Sequence, residues 1–402
     1  MIHVLGLGID STPLGLESSH ILEQSQVIAG ASSLLDQMHI PAHKRLPLTT
    51  LDEFAAQIRA QAQNQQVCVL AHGDPLLYGL GSSLLKFFKP EELVFHPHIS
   101  ALQSACACFG LPWHDLAIIS VHGRTNLAPL FAALTRTKLV GVFTDPKHSP
   151  AYLAQSLLDR QVQGWRMHVA ENLGTPQKRC TSWALKDVLG QDFAMNIVIL
   201  ERTEKPDQEL CPGVDEKLLE HADGLITKRA VRVLALSLLR LPRISVLWDL
   251  GAGSGAMSID AAFCLTHGQI VAVEGKLERV AQIQNNLQRF GAWNVQVVHN
   301  TLARFLATPP KLAPTHVFMG GGATPETINQ VCQYLRPGGR LVITAILFST
   351  LEKTKNTLKT LGWPVTIHQI MHHQSAPLGE DLRLVPQNPV FILETQKPDP
   401  NS

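Results

Sequence analysis

The chain has 402 residues, of which 45% are hydrophobic and 17% charged, and its formal net charge is +1. That length suits two domains rather than one ordinary core. A charge this close to zero, with no basic stripe, argues against a nucleic-acid partner.

The elements follow in chain order. Met1-Ile2-His3-Val4-Leu5-Gly6 goes straight into a strand, with no basic n-region and no apolar h-region. No apolar run is long enough to span a membrane, so a cytoplasmic protein with no membrane contact is expected. Strands are expected at Ile2 to Gly6, Gln26 to Ala29, Val67 to Ala71, Leu93 to Phe95, Leu116 to Ser120, Lys138 to Val142, Met167 to Ala170 and Asn196 to Leu200. Helices fit Thr50 to Ala62, Gly81 to Phe88, Ala101 to Phe109 and Pro150 to Asp159. Such alternation predicts α/β layers rather than a sandwich. Gly6-Leu7-Gly8 after a strand is by itself only a turn signal. His72-Gly73-Asp74-Pro75-Leu76-Leu77-Tyr78-Gly79 says more, because it makes a tight turn at a strand's carboxyl end, where open α/β sheets bind ligands. Asp74 can accept hydrogen bonds from turn amides or from a ligand.

A polar break from Thr203 to Lys217 places the domain boundary between residues 206 and 207, giving domains 1–206 and 207–402. A helix from Lys228 to Leu241 then leads to the apolar strand Ile244 to Trp248. Asp249-Leu250-Gly251-Ala252-Gly253-Ser254-Gly255-Ala256 follows, and a helix from Met257 to Leu265 comes next. Strand, glycine-rich turn and helix in that order bring backbone close to a nucleoside-bearing cofactor. Glu274 closes the next strand, Gln269 to Val273, where a ribose diol needs an acceptor. Leu335-Arg336-Pro337-Gly338-Gly339-Arg340-Leu341-Val342-Ile343 reads as a helix end, a turn and a strand. Two apolar runs, Trp363 to Met371 and Asn388 to Thr395, suit a terminal antiparallel hairpin.

The glycine loop also fits the G-x-G-x-x-G/A dinucleotide fingerprint, so an NAD(P)-dependent oxidoreductase with an extra domain stays open. S-adenosylmethionine is favoured on three grounds. Asp249 precedes the first glycine by two and can orient the loop or meet an ammonium. A third glycine, Gly255, suits a compact nucleoside without a pyrophosphate. The Pro-Gly-Gly turn resembles that of the Rossmann-like methyltransferases. The seven cysteines, Cys68, Cys106, Cys108, Cys180, Cys211, Cys264 and Cys332, are scattered, odd in number and mostly inside apolar runs, which reads as reduced thiols. Cys106 and Cys108 point apart on a helix, and neither His96-Pro97-His98 nor His372-His373 has ligand spacing, so no metal is expected.

Taken together, these segments resemble a family arrangement. The first half is similar to the class III tetrapyrrole methyltransferases of corrin and sirohaem biosynthesis. The resemblance rests on Val4 to Gly8, Gly73 to Gly79, His98 to Ala105, Phe109 to Trp113, Ser120 to Arg124, Thr144 to Pro146 and Glu171 to Gly174. The second half resembles the enzymes that methylate C-15 of the ring and remove the C-12 acetate carboxyl. It does so at Leu225 to Lys228, Val231 to Leu241, Trp248 to Gly255, Ala272 to Glu274, Gly320 to Gly322 and Asn388 to Ile392. Their order is that of the decarboxylating C5,15-methyltransferases acting on precorrin-6Y. The chain departs from the pattern at Ile9-Asp10, at His98, at His299-Asn300-Thr301 and at Thr315-His316.

The resemblance implies a two-lobed tetrapyrrole-methylase fold followed by a Rossmann-like class I methyltransferase domain. It also implies two methyl transfers from S-adenosylmethionine, to C-5 and C-15, with loss of carbon dioxide, and a tetrapyrrole substrate, with or without cobalt. Self-association into a homo-oligomer is expected of such relatives. For the donor, Thr227 would hold the methionine end, with Asp249 and the loop Gly251, Ala252, Gly253, Ser254 and Gly255 beside it. Glu274 would take the ribose diol and Leu302 or its neighbour the adenine. Gly73, Asp74 and Tyr78 are the donor candidates of the first half. Substrate carboxylates call for cations, and His98, Arg124, Lys228, Arg229 and Arg383 are the candidates, Arg383 in a loop before the last strand. No nucleophile–base pair is expected, because a reduced meso carbon is already enamine-like and the protein's main task is positioning. The departures leave a second possibility, in which only the C-15 half turns over and the first half merely binds tetrapyrrole.

Overall fold

The computed structural model describes residues 1–9, 14–222 and 226–399. Asp10 and Leu225, both part of segments quoted above, lie outside the described residues. The chain divides into two compact units: Met1–Arg124 with Gly141–Gln155 and Arg166–Glu201, and Thr125–Val140 with Ser156–Trp165 and Arg202–Ser402.

The first ten strands form two five-stranded sheets, whose bodies lie in the first unit. One sheet has the order β3-β2-β4-β1-β5 and comprises β1 (Ile2–Leu7), β2 (Val27–Gly30), β3 (Arg45–Pro47), β4 (Val67–His72) and β5 (Leu93–His96). All its pairings are parallel. That explains the unbroken apolar run Val67 to Ala71, since a parallel strand is covered on both faces. Val4, Val67 and Val69 enter the cluster around Phe54 and Ile58, while Leu5, Cys68 and Leu70 enter the one around Leu34 and Leu35. The second sheet, in the order β6-β7-β10-β8-β9, holds β6 (Ala117–Ser120), β7 (Leu139–Phe143), β8 (Trp165–Glu171), β9 (Arg179–Ala184) and β10 (Asn196–Arg202). β8 and β9 pair antiparallel.

Local chemistry sets the helix ends. The helix Ala101–Phe109 begins at a reciprocal cap, in which Ser100 Oγ accepts from the Gln103 amide at 3.2 Å and Gln103 Oε1 accepts from the Ser100 amide at 2.8 Å. It stops at Gly110. The expected helix Gly81 to Phe88 is shorter, Leu80–Leu84. The amides of Lys86 and Phe87 bond three residues back instead, to the carbonyls of Ser83 and Leu84, so the last turn tightens ahead of Pro90.

In the second unit, nine strands follow: β11 (Val246–Leu250), β12 (Gln269–Glu274), β13 (Val295–His299), β14 (His316–Met319), β15 (Arg340–Ala345), β16 (Val365–Ile370), β17 (His373–Leu378), β18 (Asp381–Pro386) and β19 (Val390–Gln396). Seven of them form one sheet in the order β13-β12-β11-β14-β15-β19-β16. The first five of that order are parallel, and β19 runs antiparallel to both β15 and β16. Strand direction of connection reverses on either side of β11, and an α/β sheet opens a crevice at such a switch point. β11 is buried throughout. Leu247 packs into one core cluster and Val246, Trp248 and Leu250 into the other.

Two expectations need correction here. The glycine-loop strand does not start at Ile244, which is 76% exposed; the Ser245 amide bonds the Pro242 carbonyl in a turn, and the strand runs on through Asp249 and Leu250. The two terminal apolar runs do pair antiparallel, as β16 and β19, but they are not a simple hairpin. A separate two-stranded sheet, β17–β18, stands between them in sequence, with register Leu378↔Asp381. Arg383, expected in a loop, lies in β18 opposite Ala376. Both strands are almost wholly exposed, so they carry none of the apolar alternation that marks a half-buried strand.

Gly6 in β1 is held by close packing of backbone. A Cβ there would stand 2.3 Å from the Gly73 carbonyl oxygen, which cannot swing away. Gly6→Ala should therefore lower unfolding free energy by about 1–3 kcal/mol, the usual cost of overpacking. Urea denaturation of the two proteins measures it, and equal midpoints would mean the turn after β4 relaxes freely.

Candidate functional site

The carboxyl ends of β11, β12 and β14 open into a cavity of about 850 Å³ within the second unit. Nine of the residues expected at the donor and substrate line it together: Thr227, Lys228, Asp249, Gly251, Ala252, Gly253, Ser254, Glu274 and Leu302. Gly255 is outside the lining; the space a Cβ would need there is filled by Ile283, 3.0 Å away. It starts the helix Ala256–Cys264 and makes room for that packing.

The loop's shape is written in its backbone. Gly251, Gly253 and Gly255 have φ of +74°, +60° and +78°, the region that L side chains rarely adopt. The amides of Gly251 and Ala252 both donate to the Val273 carbonyl at 3.0 Å. Glu274 completes the tie: Oε2 accepts from the Gly253 amide and Oε1 from the Lys276 amide, each at 2.9 Å. The carboxylate is 6% exposed and lies at the end of β12. Each oxygen keeps a second lone pair for a ligand.

Asp249 is 1% exposed. Its Oδ2 accepts from the Ser258 hydroxyl at 2.6 Å, and its Oδ1 is buried without a hydrogen-bond partner. Burial pushes its carboxyl up from 3.8 to about 6; hydrogen bonds from Ser258 oppose this, and the nearby Glu274 charge adds to it. A partnerless buried oxygen on a cavity wall is costly unless something cationic or donating arrives to meet it.

Thr227 and Lys228 are placed from behind by Arg232, which is fully buried. Its Nε donates to Asp260 Oδ2 at 2.8 Å, Nη1 to the Thr227 carbonyl at 2.6 Å and Nη2 to the Val214 carbonyl. Asp260 Oδ1 accepts from the Val214 amide at 3.0 Å, so the ion pair satisfies itself on several sides. Polar wall residues that the sequence reading did not assign to the site include Arg279, Thr324, Thr344, Thr350, Gln387 and Asn388. Arg279 lies in the first turn of the helix Leu277–Phe290, and it lines the cavity together with Glu274. Its nearness to the cavity follows from the β12–helix turn, the same signal that located Glu274. Gln387 and Asn388 precede β19, and only the fold brings them to the site. Arg229 and Arg383 are exposed and outside this lining.

The departure at Thr315-His316 falls at the opposite end of the sheet. Thr315 Oγ1 accepts from the Val246 amide at 2.9 Å and ties β11 to the chain entering β14. Burial, then Arg340, pushes the His316 imidazole down to about 4, so it is neutral and structural. Thr301, from the other departure, does line the cavity and caps the helix Leu302–Ala307 through the Arg304 amide.

In the first unit a second cavity, of about 330 Å³, is lined by Asp74, Leu76, Leu77, Ser100, Gln103 and Trp113 among others. Asp74 Oδ1 accepts from the Leu76 amide at 2.8 Å and stabilises the turn. Tyr78 and Arg124 are brought together beside it but do not line it. The Tyr78 hydroxyl donates to the Ile118 carbonyl at 3.1 Å, and the Arg124 guanidinium lies 5.7 Å from the Tyr78 ring centre. Gly73 turns the chain against Ser100, and His98 Nδ1 accepts from its neighbour Ile99's amide at 2.9 Å. Arg124's segment is anchored by Asp145, whose Oδ2 accepts from the Gly123 amide at 2.7 Å. Among the described residues no group of three or more His, Cys, Asp or Glu could hold a metal ion, and no helix is long and apolar enough to cross a membrane.

The family described as Tetrapyrrole (Corrin/Porphyrin) Methylases matches residues 1–189, and the Precorrin methyltransferase domain matches residues 219–397. A precorrin-6Y C(5,15)-methyltransferase [decarboxylating] from Sinorhizobium sp is 30% identical over 357 residues, covering 85% of this chain and 84% of that protein. Two shorter relatives come from Salmonella typhimurium. A cobalt-precorrin-6B C(15)-methyltransferase (decarboxylating) is 35% identical over 46% of this chain and 95% of its own length. A cobalt-precorrin-7 C(5)-methyltransferase is 30% identical over 50% of this chain and 98% of its own.

Asp249 generates a pH prediction. Its folded-state value of about 6 lies above its ordinary 3.8, so the folded protein holds this proton more tightly. The stabilisation is complete below pH 4 and is lost as pH rises through about 6. A ligand ammonium meeting Oδ1 needs the ionised form. Affinity for S-adenosylmethionine measured by calorimetry should therefore climb with pH up to about 6 and then level off, and Asp249→Asn should flatten the climb. A wild-type profile already flat across that interval would remove Asp249 from the ammonium.

Proposed function

The chain belongs to the precorrin-6Y C5,15-methyltransferase (decarboxylating) family, and on that premise we propose how its residues divide the work. The second unit methylates C-15 and releases the C-12 acetate carboxyl as carbon dioxide, and the first methylates C-5. The observation that carries this reading is the 850 Å³ cavity in which a partnerless Asp249 oxygen, the glycine loop and Glu274 face the same space.

S-adenosylmethionine, when bound, supplies a methyl group on a sulfonium, which leaves by in-line displacement. The residues fit that donor. Asp249 Oδ1 gains the donor it lacks from the methionine ammonium. Glu274 uses its free lone pairs for the ribose diol while its fixed lone pairs hold Gly253 in place. Gly253 leaves open space where a Cβ would point, so backbone meets the nucleoside directly. Leu302 offers an apolar face to the adenine, and Thr227 borders the methionine end. The two halves of the chain, 1–206 and 207–402, are the proposed carriers of the two activities.

For the tetrapyrrole, Lys228 and Arg279 are the cations on the cavity wall, suited to the ring's carboxylates. A reduced meso carbon needs no base at the moment of attack, so holding the partners in line and excluding water is the main contribution, about 7–11 kcal/mol where orientation is good. Loss of carbon dioxide needs a conjugated system able to accept the electron pair, and protonation or methylation of the substrate provides one. Asn388 and Gln387 can donate hydrogen bonds to the ring's oxygens from the far wall. In the first unit Asp74 borders the cavity, with Arg124 as the substrate cation and His98 as a polar substrate contact. Self-association and a cytoplasmic site of action accompany this reading.

A second reading keeps the first unit as a binding module only. It is favoured by one observation, that Asp74 Oδ1 and the Tyr78 hydroxyl both have internal partners, the Leu76 amide and the Ile118 carbonyl. Product masses separate the two. The full chain given precursor and S-adenosylmethionine should return a ring with two added methyl groups and one carbon dioxide fewer. A single methyl group with loss of carbon dioxide would support the binding-module reading, and no methyl transfer at all would overturn both. Parallel runs with metal-free and cobalt-loaded precursor identify the substrate form.

The ribose assignment has its own check. Glu274→Ala should weaken donor binding by about 1–3 kcal/mol, the scale for a lost charged acceptor, with Glu274→Gln intermediate because its amide oxygen still accepts from Gly253. Unchanged affinity in Glu274→Ala by calorimetry would take Glu274 away from the ribose.

A further inference from the structure

One face of the first unit holds two cysteines that the reaction does not use. In the register of β8 and β9, His168 stands opposite Ser182 and Ala170 opposite Cys180. The Ser182 hydroxyl is 2.7 Å from His168 Nδ1, and the His168 ring lies 4.8 Å from the Phe109 ring, at the end of the helix Ala101–Phe109. That face of the sheet therefore looks at the last turn of this helix. Cys180, two residues before Ser182, shares the face by strand alternation. Cys108 is the residue before Phe109, and its thiol meets that of Cys180. Lys178 sits two residues earlier on the chain, with its ammonium against the Cys108 sulfur. Both cysteines are partly exposed, whereas Cys68, Cys106 and Cys332 are buried.

We infer that Cys108 and Cys180 are an oxidant-responsive thiol pair, closed to a disulfide by peroxide with Lys178 assisting at Cys108. The step balances as follows. The Cys108 sulfur attacks one peroxide oxygen, the oxygen–oxygen bond breaks, and Cys108 becomes a sulfenic acid as the first water leaves. The Cys180 sulfur then attacks the Cys108 sulfur, the sulfur–oxygen bond breaks, and the second water departs. Two thiols and one hydrogen peroxide give one disulfide and two waters. Burial, then contact with Cys108, pushes the Cys180 thiol up to about 11. Cys108 is the thiol next to the Lys178 ammonium and therefore meets the oxidant first, with Cys180 as the resolving thiol.

The bond would tether the last turn of a helix whose first turn puts Leu102 and Gln103 on the wall of the 330 Å³ cavity. The chemistry stands whether or not methyl transfer occurs in this unit, and its test reads sulfur alone. The full-length protein is treated with hydrogen peroxide, its free thiols are alkylated, and its peptides are mapped without reductant. A single intramolecular link between the peptides of Cys108 and Cys180, reversed by dithiothreitol, is expected. Cys180→Ser should instead leave a trappable sulfenic acid on Cys108, and Lys178→Met should slow link formation several-fold at neutral pH. Both cysteines alkylated as free thiols after peroxide, or linked only in the urea-unfolded chain, would overturn the pair. An unchanged rate in Lys178→Met would overturn the lysine's part.

Discussion

The hydrogen bond from the Gly253 amide to the Glu274 carboxylate joins the loop after β11 to the tip of β12, and the rest of the second unit's site is arranged around it. Without it, the three left-handed glycines at alternate positions would be tied to the neighbouring strand only through the Val273 carbonyl, with the Gly255 amide on the Ala252 carbonyl and Asn286 on the Ser254 carbonyl holding the loop elsewhere. With it, the loop's amides are committed to the neighbouring strand, and the helix Ala256–Cys264 starts at a fixed angle to the sheet. Asp249 is carried on the same strand end, so its orientation is inherited from the sheet and from Ser258 and not from the ligand. One side chain thus serves the protein before any donor arrives, and a ligand contact made by Glu274 is made by a group already immobilised.

Behind this front a second constraint acts through Arg232. A fully buried guanidinium tolerates few arrangements, since each N–H must find an acceptor. Asp260 and the carbonyls of Thr227 and Val214 take that role. The consequence is that the cavity's Thr227–Lys228 wall is set by the packing of two helices, far from any chemistry. Burial pushes the Asp260 carboxyl up while Arg232 pulls it down. The pair is therefore a device of placement more than of net stability. The first unit's cavity is built differently, around a turn whose own Asp74 stabilises it.

Much of this was legible in the chain. The strand–glycine loop–helix unit around residue 253 and the acid at 274 were readable because backbone conformation and sheet connectivity there leave little freedom. Parallel strands such as Val67 to Ala71 showed as unbroken apolar runs for the same reason. β17 and β18 were not legible, because neither face is covered and exposed alternation leaves no pattern in hydrophobicity. Nor were Gln387 and Asn388, which reach the cavity only because β19 inserts antiparallel beside β15. The misplaced start of β11 has a simple cause: Ile244 is apolar yet exposed, and Pro242 makes the turn that displaces it. Gly255 was assigned to the ligand when its neighbour is Ile283, since a sequence records that a side chain is missing and not what occupies the space.

Gly253 and Gly6 exclude larger residues for different reasons, and the difference has a chemical corollary. At Gly6 the obstacle is volume, because an L side chain's Cβ would stand against the Gly73 carbonyl. At Gly253 nothing beyond its own chain neighbours lies within 4 Å of the position a Cβ would take; the sign of φ is what opposes it. The site there discriminates by stereochemistry: a D-alanine introduced by chemical ligation would adopt the native torsion without strain, where its mirror image would not.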